Sequence, residues 1–136
     1  MRRMIGTLLV VPLALLCACS RRPSPEQGRA QLVGNYELRI GNDCADRGIE
    51  YARLSLRQDG TFSQVQKFKD GTTYFSNNDK WDYSDRHVSL DGLRVNNTLE
   101  FAPNASPGFA SLIVEFGEPT VILLSPGQNC FFVKAD

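Results

Sequence analysis

Apolar and polar residues alternate along most of the chain beyond residue 32, and this pattern predicts β-strands. Tyr36, Leu38 and Ile40 alternate with polar residues, and Leu54 and Leu56 repeat the same two-residue period. A period of two places successive side chains on opposite faces of a sheet. The period continues through three later pairs: Val88 and Leu90, Leu93 and Val95, and Leu99 and Phe101. No segment has a convincing 3.6-residue period over about ten residues, although residues 48–57 fit a short helical turn.

Turn-forming residues separate the predicted strands. Asp59-Gly60, Asp70-Gly71 and Asp91-Gly92 are turn signals, because glycine accepts the positive φ that tight hairpin turns need. Residues 77–79, Asn-Asn-Asp, mark a further predicted break, after which Trp81 and Tyr83 share one face of a short strand.

The strands predict an all-β fold, an antiparallel meander of about 8–10 short strands that forms a barrel or a β-sandwich. The last three predicted strands, over residues 110–116, 120–125 and 128–134, are the most apolar. In the last of them, Phe131 and Phe132 point to opposite faces, which leaves one ring for an edge or an interface unless both faces are buried. The β-domain spans residues 32–136, which is enough chain for one core.

The N-terminus has the organisation of a signal peptide. Arg2 and Arg3 precede an apolar run over residues 5–16. As a helix this run would extend about 18 Å, well short of a hydrocarbon core of about 30 Å. Residues 1–18 are therefore predicted to be a signal peptide and not a permanent transmembrane helix.

The end of that run, Leu16-Cys17-Ala18-Cys19, resembles the lipobox of bacterial lipoproteins. The resemblance implies cleavage before Cys19, thioether lipidation of Cys19 with palmitate or a similar chain, and anchoring in a membrane. Ser20 at the next position implies, by similarity to lipoproteins of Gram-negative bacteria, the inner leaflet of the outer membrane, facing the periplasm. An ordinary signal peptide cleaved near Ala18 is the alternative.

Residues 19–31 are predicted to be the lipidated N-terminus followed by a flexible tether. Residues 20–31 contain no large apolar side chain, and Pro23 and Pro25 disfavour helix locally. The tether is predicted to hold the β-domain away from the bilayer.

Two cysteines remain as thiols once Cys17 is removed and Cys19 is lipidated. These are Cys44 and Cys130. Export places them in an oxidising compartment, so we predict a Cys44–Cys130 disulfide. A zinc site would need further ligands, and a redox pair usually has Cys-x-x-Cys spacing.

Part of the domain, over residues 33–95, resembles small lipocalin-like bacterial domains. The likeness is carried by a strand that ends in Asp59-Gly60-Thr61-Phe62, followed by a strand containing Trp81 and then by Val88-Ser89-Leu90. The Gly-x-Trp motif of conventional lipocalins is absent. The resemblance implies a barrel that carries a small apolar ligand.

Aromatic residues are the candidates for lining such a ligand cavity. The predicted ligand-binding set consists of Tyr36, Phe62, Trp81 and Tyr83. In the alternative, the same side chains fill a closed core.

Composition excludes several classes of function. Fifteen basic and 15 acidic residues give a formal net charge of zero, which disfavours binding to nucleic acid. His87 is the single histidine, and no Gly-x-Ser-x-Gly motif is present, which disfavours a multi-histidine metal site and a hydrolase triad. Asp79, Asp82 and Asp85 do not match a calcium loop. We therefore predict no enzyme activity, no cofactor and no metal.

Together these features predict a non-enzymatic, lipid-anchored lipoprotein of the cell envelope. The expected role is to bind another envelope or periplasmic protein, a class that includes inhibitor and immunity-type lipoproteins. Two alternatives stay open at this point: a lipocalin-like carrier of a small apolar ligand, and a structural envelope protein.

Overall fold

Eight antiparallel strands form a closed barrel. The computed structural model describes residues 22–41, 49–94, 108–124 and 130–135. The elements are α1 (Pro25–Leu32), β1 (Gly34–Ile40), β2 (Ile49–Leu56), β3 (Thr61–Phe68), β4 (Thr73–Ser84), β5 (His87–Leu93), β6 (Gly108–Glu115), β7 (Val121–Leu123) and β8 (Cys130–Ala135). Each strand pairs with the next, and β8 returns to β1. The predicted all-β meander is confirmed, and it is a barrel and not a sandwich.

The barrel interior follows the predicted alternation of side chains. On β3, Phe62 and Phe68 are fully buried, while on β8 Phe132 is buried and Phe131 is only half-buried on the outer face. Residues 49–56, which also fitted a helical turn, form β2. Period-two alternation therefore assigned the two faces of these strands correctly, because one face of each strand packs into a common core.

α1 occupies most of the segment that was predicted to be a flexible tether. Ser24 caps the helix: its Oγ accepts a hydrogen bond from the Gln27 amide at 3.2 Å, and the Ser24 amide donates to Gln27 Oε1 at 3.1 Å. Pro25 lies at the first helical position, where its fixed φ is favourable and its missing N–H costs nothing. The expectation that Pro25 disfavours helix is therefore wrong. Among the described residues, no helix has the length and apolar character to cross a membrane.

β4 continues through the break predicted at residues 77–79. A β-bulge lies there, where the pairing with β3 shifts by one residue and Asn78 has a φ of 114°. The extra residue changes which positions face inward, so that Trp81 and Tyr83 join the core. The predicted short strand is thus the second half of a 12-residue strand.

Asp91-Gly92 lies within β5 and does not form the predicted turn. The register with β6 shifts here, and Gly92 has a φ of 98°. A Cβ at Gly92 would lie 2.8 Å from the Asp79 carboxyl carbon, so glycine is required by its neighbour as well as by its backbone. Gly92 does adopt the positive φ that the sequence indicated, but it lies in a β-bulge and does not reverse the chain.

The two ends of the barrel differ. Antiparallel pairing of consecutive strands places alternate connections at opposite ends. The helix end carries α1 and the connections over residues 57–60, 85–86 and 116–120. At the loop end, β1, β5 and β7 end, β2, β6 and β8 begin, and residues 69–72 connect β3 to β4. Residues 42–48, 95–107 and 125–129 lie outside the described residues.

Candidate functional site

The four aromatic residues predicted to line a ligand cavity all lie in the hydrophobic core. Tyr36 and Phe62 are completely buried, and Trp81 and Tyr83 are 3% and 6% exposed. They belong to one continuous cluster with the other inward-facing side chains. This is the arrangement expected of the filled-core alternative, and the ligand-lining role stays a prediction.

Two of these aromatics hold α1 against the barrel. The Tyr36 hydroxyl donates a hydrogen bond to the Leu32 carbonyl at 2.8 Å, and Leu32 is fully buried. Gly28 rests on the Tyr83 ring so closely that a Cβ there would lie 2.2 Å from Tyr83 Cε1. Tyr83 in turn packs edge-on against Phe116, with ring centroids 5.6 Å apart. α1 thus packs against the core and covers the helix end of the barrel.

Trp81, on β4, is also buried at the helix end of the barrel and contacts α1. Its indole Nε1 donates a hydrogen bond to the Arg57 carbonyl at 2.8 Å, and the Arg29 guanidinium lies 4.9 Å from the centre of its rings. Arg29 also forms an ion pair with Asp82, the residue next to Trp81. Because both partners are substantially exposed, this pair adds little stability and mainly orients the arginine over the ring. Arg29 was assigned to the tether, and the Ser24–Gln27 capping box was the sequence signal for its true position.

The buried hydroxyl of Tyr36 makes stability at the helix end sensitive to alkali. Burial raises the pKa of Tyr36 above its ordinary value. The stability that this shift contributes is complete below the unfolded-state pKa of about 10 and is lost as pH rises above it. We expect Tyr36→Phe to reduce the fall in unfolding free energy between pH 9 and about 11.5. The loss of its hydrogen bond should cost about 1 kcal/mol at neutral pH.

Urea unfolding at several pH values tests this expectation. Tyr51→Phe is the control, since Tyr51 is 39% exposed. An alkaline slope in Tyr36→Phe as steep as in the unmodified protein would contradict it.

Polar side chains occupy the barrel interior towards the loop end. Gln64 is 1% exposed, and its Nε2 lies 2.9 Å from Ser76 Oγ, 3.1 Å from Asp79 Oδ2 and 2.7 Å from the Gly92 carbonyl oxygen. Ser76 Oγ also donates to Asp79 Oδ2. The inward-facing side of β3 therefore changes from apolar to polar within two residues of Phe62.

Two further residues complete this polar cluster, which we define as Gln64, Gln66, Ser76, Asp79 and Arg94. Gln64 Oε1 accepts from Gln66 Nε2 at 3.3 Å and from the Arg94 amide at 3.1 Å, and the Arg94 guanidinium covers the Tyr74 ring at 4.1 Å. Gln66 Oε1 and Arg94 Nε are buried and have no hydrogen-bond partner among the described residues. Such atoms require a polar neighbour such as water, because each unpaired group costs about 1–3 kcal/mol. An apolar ligand would not supply it.

Glutamines at positions 64 and 66 were visible in the sequence. Phe62, Gln64, Gln66 and Phe68 occupy one face of the strand, so two amides interrupt an apolar series. Sequence reasoning missed them because only aromatic residues were considered as candidates for the interior.

The outer wall of the barrel is apolar over its last three strands. Ile113, Leu123 and Phe131 are neighbours across β6, β7 and β8, and Val121 pairs with Val133 in the adjacent row. All five point outward and are half-buried. We call these five residues the apolar outer face. Outward positions elsewhere are mostly polar, as shown by Arg53, Ser55, Ser63, Lys67, Asn77, Lys80, Asp82 and Ser89.

A groove of about 1090 Å³ borders the apolar outer face. Val133 belongs to both, and two cations, Arg39 and Lys134, line the groove with one acid, Glu118. Lys134 Nζ donates to the Gln31 carbonyl at 2.7 Å, which ties this wall to α1. The apolar outer face thus has a polar, mixed-charge border, the usual composition of a protein-binding surface.

The structure addresses only one of the three cysteines with predicted roles. Cys130 begins β8 and is completely buried. Cys44, its predicted partner, and Cys19, the predicted lipidation site, lie outside the described residues. The Cys44–Cys130 pairing and the lipid anchor therefore stay predictions.

His87 opens β5 and contacts its own turn. Its Nδ1 lies 2.8 Å from the Asp85 carbonyl oxygen. The described residues contain no group of three or more histidine, cysteine or acidic side chains arranged to hold a metal ion. Comparison with protein-family models, curated proteins and solved structures finds no match to the chain.

Proposed function

We propose that the protein is a non-enzymatic, lipid-anchored lipoprotein of the cell envelope, and that it binds another envelope protein through the apolar outer face. The observation that carries the proposal is the position of Ile113, Leu123 and Phe131 on the outside of a closed barrel. The core is already filled by the opposite faces of the same strands, so these side chains are not needed there. Contiguous outward apolar residues are typical of interaction sites.

The polar cluster favours this role over the carriage of an apolar ligand. A carrier would place apolar surface around a cavity in the barrel. Instead, Gln66 Oε1 and Arg94 Nε lie unpaired in the described interior towards the loop end, where an apolar ligand would leave both unsatisfied.

Lipidation of Cys19 and a Cys44–Cys130 disulfide are parts of the same proposal. The lipobox resemblance of residues 16–19 supports the anchor, and Ser20 supports the outer membrane as its location. Cys130 is completely buried at the start of β8, and the proposed disulfide would suit export to an oxidising compartment.

A charge on the apolar outer face should strongly weaken partner binding. We expect Leu123→Glu to reduce recovery of the crosslinked partner from intact envelopes by about tenfold or more, because an unpaired carboxylate would be buried in the interface. The measurement is in vivo crosslinking followed by affinity purification of the anchored protein and quantification of the species that it retains.

Val65→Glu is the matched control. Val65 also points outward and is half-buried, but it lies on β3, four strands away and on the opposite side of the barrel. This variant should retain the partner fully, and both variants should unfold at similar urea concentrations. Equal recovery with Leu123→Glu and with Val65→Glu would contradict the proposed surface.

A further inference from the structure

The docking of α1 brings a fixed part of the barrel close to the predicted lipid anchor. The helix begins at Pro25 and is held by the Leu32, Gly28 and Arg29 contacts described above. The Ser24 cap fixes where the helix starts. Only residues 20–23 lie between Cys19 and Ser24, so five Cα–Cα steps separate the anchor from this fixed point.

Those five steps are shorter than the barrel wall. Fully extended, they span at most about 18 Å. Strands of eight residues, such as β2 and β3, are about 26 Å long, and at the usual barrel tilt of about 40° they form a wall about 20 Å high. A chain that starts at the helix end is therefore too short to reach the loop end along the outside of the barrel.

We propose that this short connection holds the helix end of the barrel against the phospholipid headgroups and directs the loop end away from the membrane. The inference rests on the lipidation of Cys19 in the proposed function. In the opposite orientation the loop end would contact the bilayer, and the anchored chain would have to span the full height of the wall. Its length excludes that arrangement.

Chain length is responsible for this orientation, and charge attraction is not. Basic residues at or near the helix end, such as Arg22, Arg86 and Lys134, are matched by acidic residues, such as Glu26, Asp85 and Glu118. Without a clear excess of positive charge, attraction to anionic lipid contributes little. The orientation should therefore persist at high ionic strength, where screening shortens the range of such forces to a few ångströms.

The two ends of β4 offer matched positions for a test. Thr73 begins the strand at the loop end, Ser84 ends it at the helix end, and both are exposed. The acylated full-length protein would carry a photoreactive p-benzoylphenylalanine in place of Ser84 or Thr73. It would be reconstituted into vesicles of phosphatidylethanolamine and radiolabelled phosphatidylglycerol and irradiated.

We expect several-fold more lipid adduct from position 84 than from position 73, with little change in high salt. Insertion of a long Gly-Ser segment between Arg22 and Pro23 should reduce this difference, because it removes the length restriction. Adduct yields from position 73 that equal or exceed those from position 84, in vesicle-bound protein, would overturn the orientation. So would a vesicle-bound protein that forms no adduct at either position.

Palmitate incorporation separates this failure from failure of the anchor. Protein that takes up no labelled palmitate and remains in the aqueous fraction would contradict lipidation of Cys19 itself. A Cys19→Ser variant that still takes up label would contradict it as well.

Discussion

Replacing Trp81 by alanine is expected to lower the free energy of unfolding by about 3–5 kcal/mol. Trp81 is 3% exposed, and its removal would leave a large cavity at the helix end of the barrel. The Arg57 carbonyl would lose the indole N–H, and Arg29 would lose the ring that it covers. The expected loss therefore combines a cavity with a weakened contact to α1.

Urea unfolding followed by far-ultraviolet circular dichroism measures this loss. Fluorescence is unsuitable because Trp81 is the only tryptophan. Phe75→Ala is the control on the same strand: Phe75 is an aromatic residue of β4, but it is 61% exposed. It should change stability by no more than about 0.5 kcal/mol. Similar losses for Trp81→Ala and Phe75→Ala would show that the helix-end core does not stabilise the barrel as described.

Reduction of the proposed Cys44–Cys130 disulfide is expected to cost about 4–5 kcal/mol. The bridge would close a loop that includes β2 to β7, and long loops gain most from crosslinking, because the crosslink removes conformations of the unfolded chain. Cys130 is completely buried at the first position of β8, where it pairs with Ile40 at the end of β1. The bridge would thus tie the connection after β1 to the strand that closes the barrel.

Three samples distinguish the bridge from a simple packing effect. The oxidised protein, the same protein in reductant, and Cys44→Ser are compared by urea unfolding. Reductant should destabilise the unmodified protein and leave Cys44→Ser unchanged, while the reduced protein and Cys44→Ser should have similar midpoints. An unmodified protein whose midpoint does not move in reductant would contradict the pairing.

The strands could be predicted because each has one face in a shared core. Tyr36 and Leu38, or Leu54 and Leu56, are apolar at every second residue for that reason. Closure into a barrel could not be predicted in the same way, since a sandwich requires the same alternation. The decisive pairing, between β1 and β8, joins residues at opposite ends of the domain, such as Asn35 and Ala135.

Local exceptions to the alternation were harder to interpret. Asn78 and Gly92 both have positive φ, and both were interpreted as interruptions between strands. Each is instead a bulge, because one neighbouring strand, β3 for Asn78 and β6 for Gly92, continues the pairing past it. Whether a turn residue reverses the chain depends on these partners, which lie far away in sequence.

α1 was missed because its stability comes largely from the barrel. An eight-residue helix is too short to be stable alone, and it shows no long apolar period. Leu32 and Gly28 are its buried positions, and a glycine is not recognised as an apolar contact. The capping box at Ser24 and Gln27 was the available signal. The apolar outer face was partly foreseen, since Phe131 and Phe132 had to point in opposite directions.

The β1–β8 pairing also determines when the domain can complete its fold, during synthesis or during the proposed export. β1 has no partner on one side until the chain as far as Ala135 has emerged, because its six pairing positions there all belong to β8. Contacts between such distant segments form late, because the chain loses the conformational entropy of a long loop before these contacts can stabilise it. In the proposed function, translocation and attachment of the lipid would take place on a chain whose sheet is still open, and the barrel would close only when β8 pairs with β1.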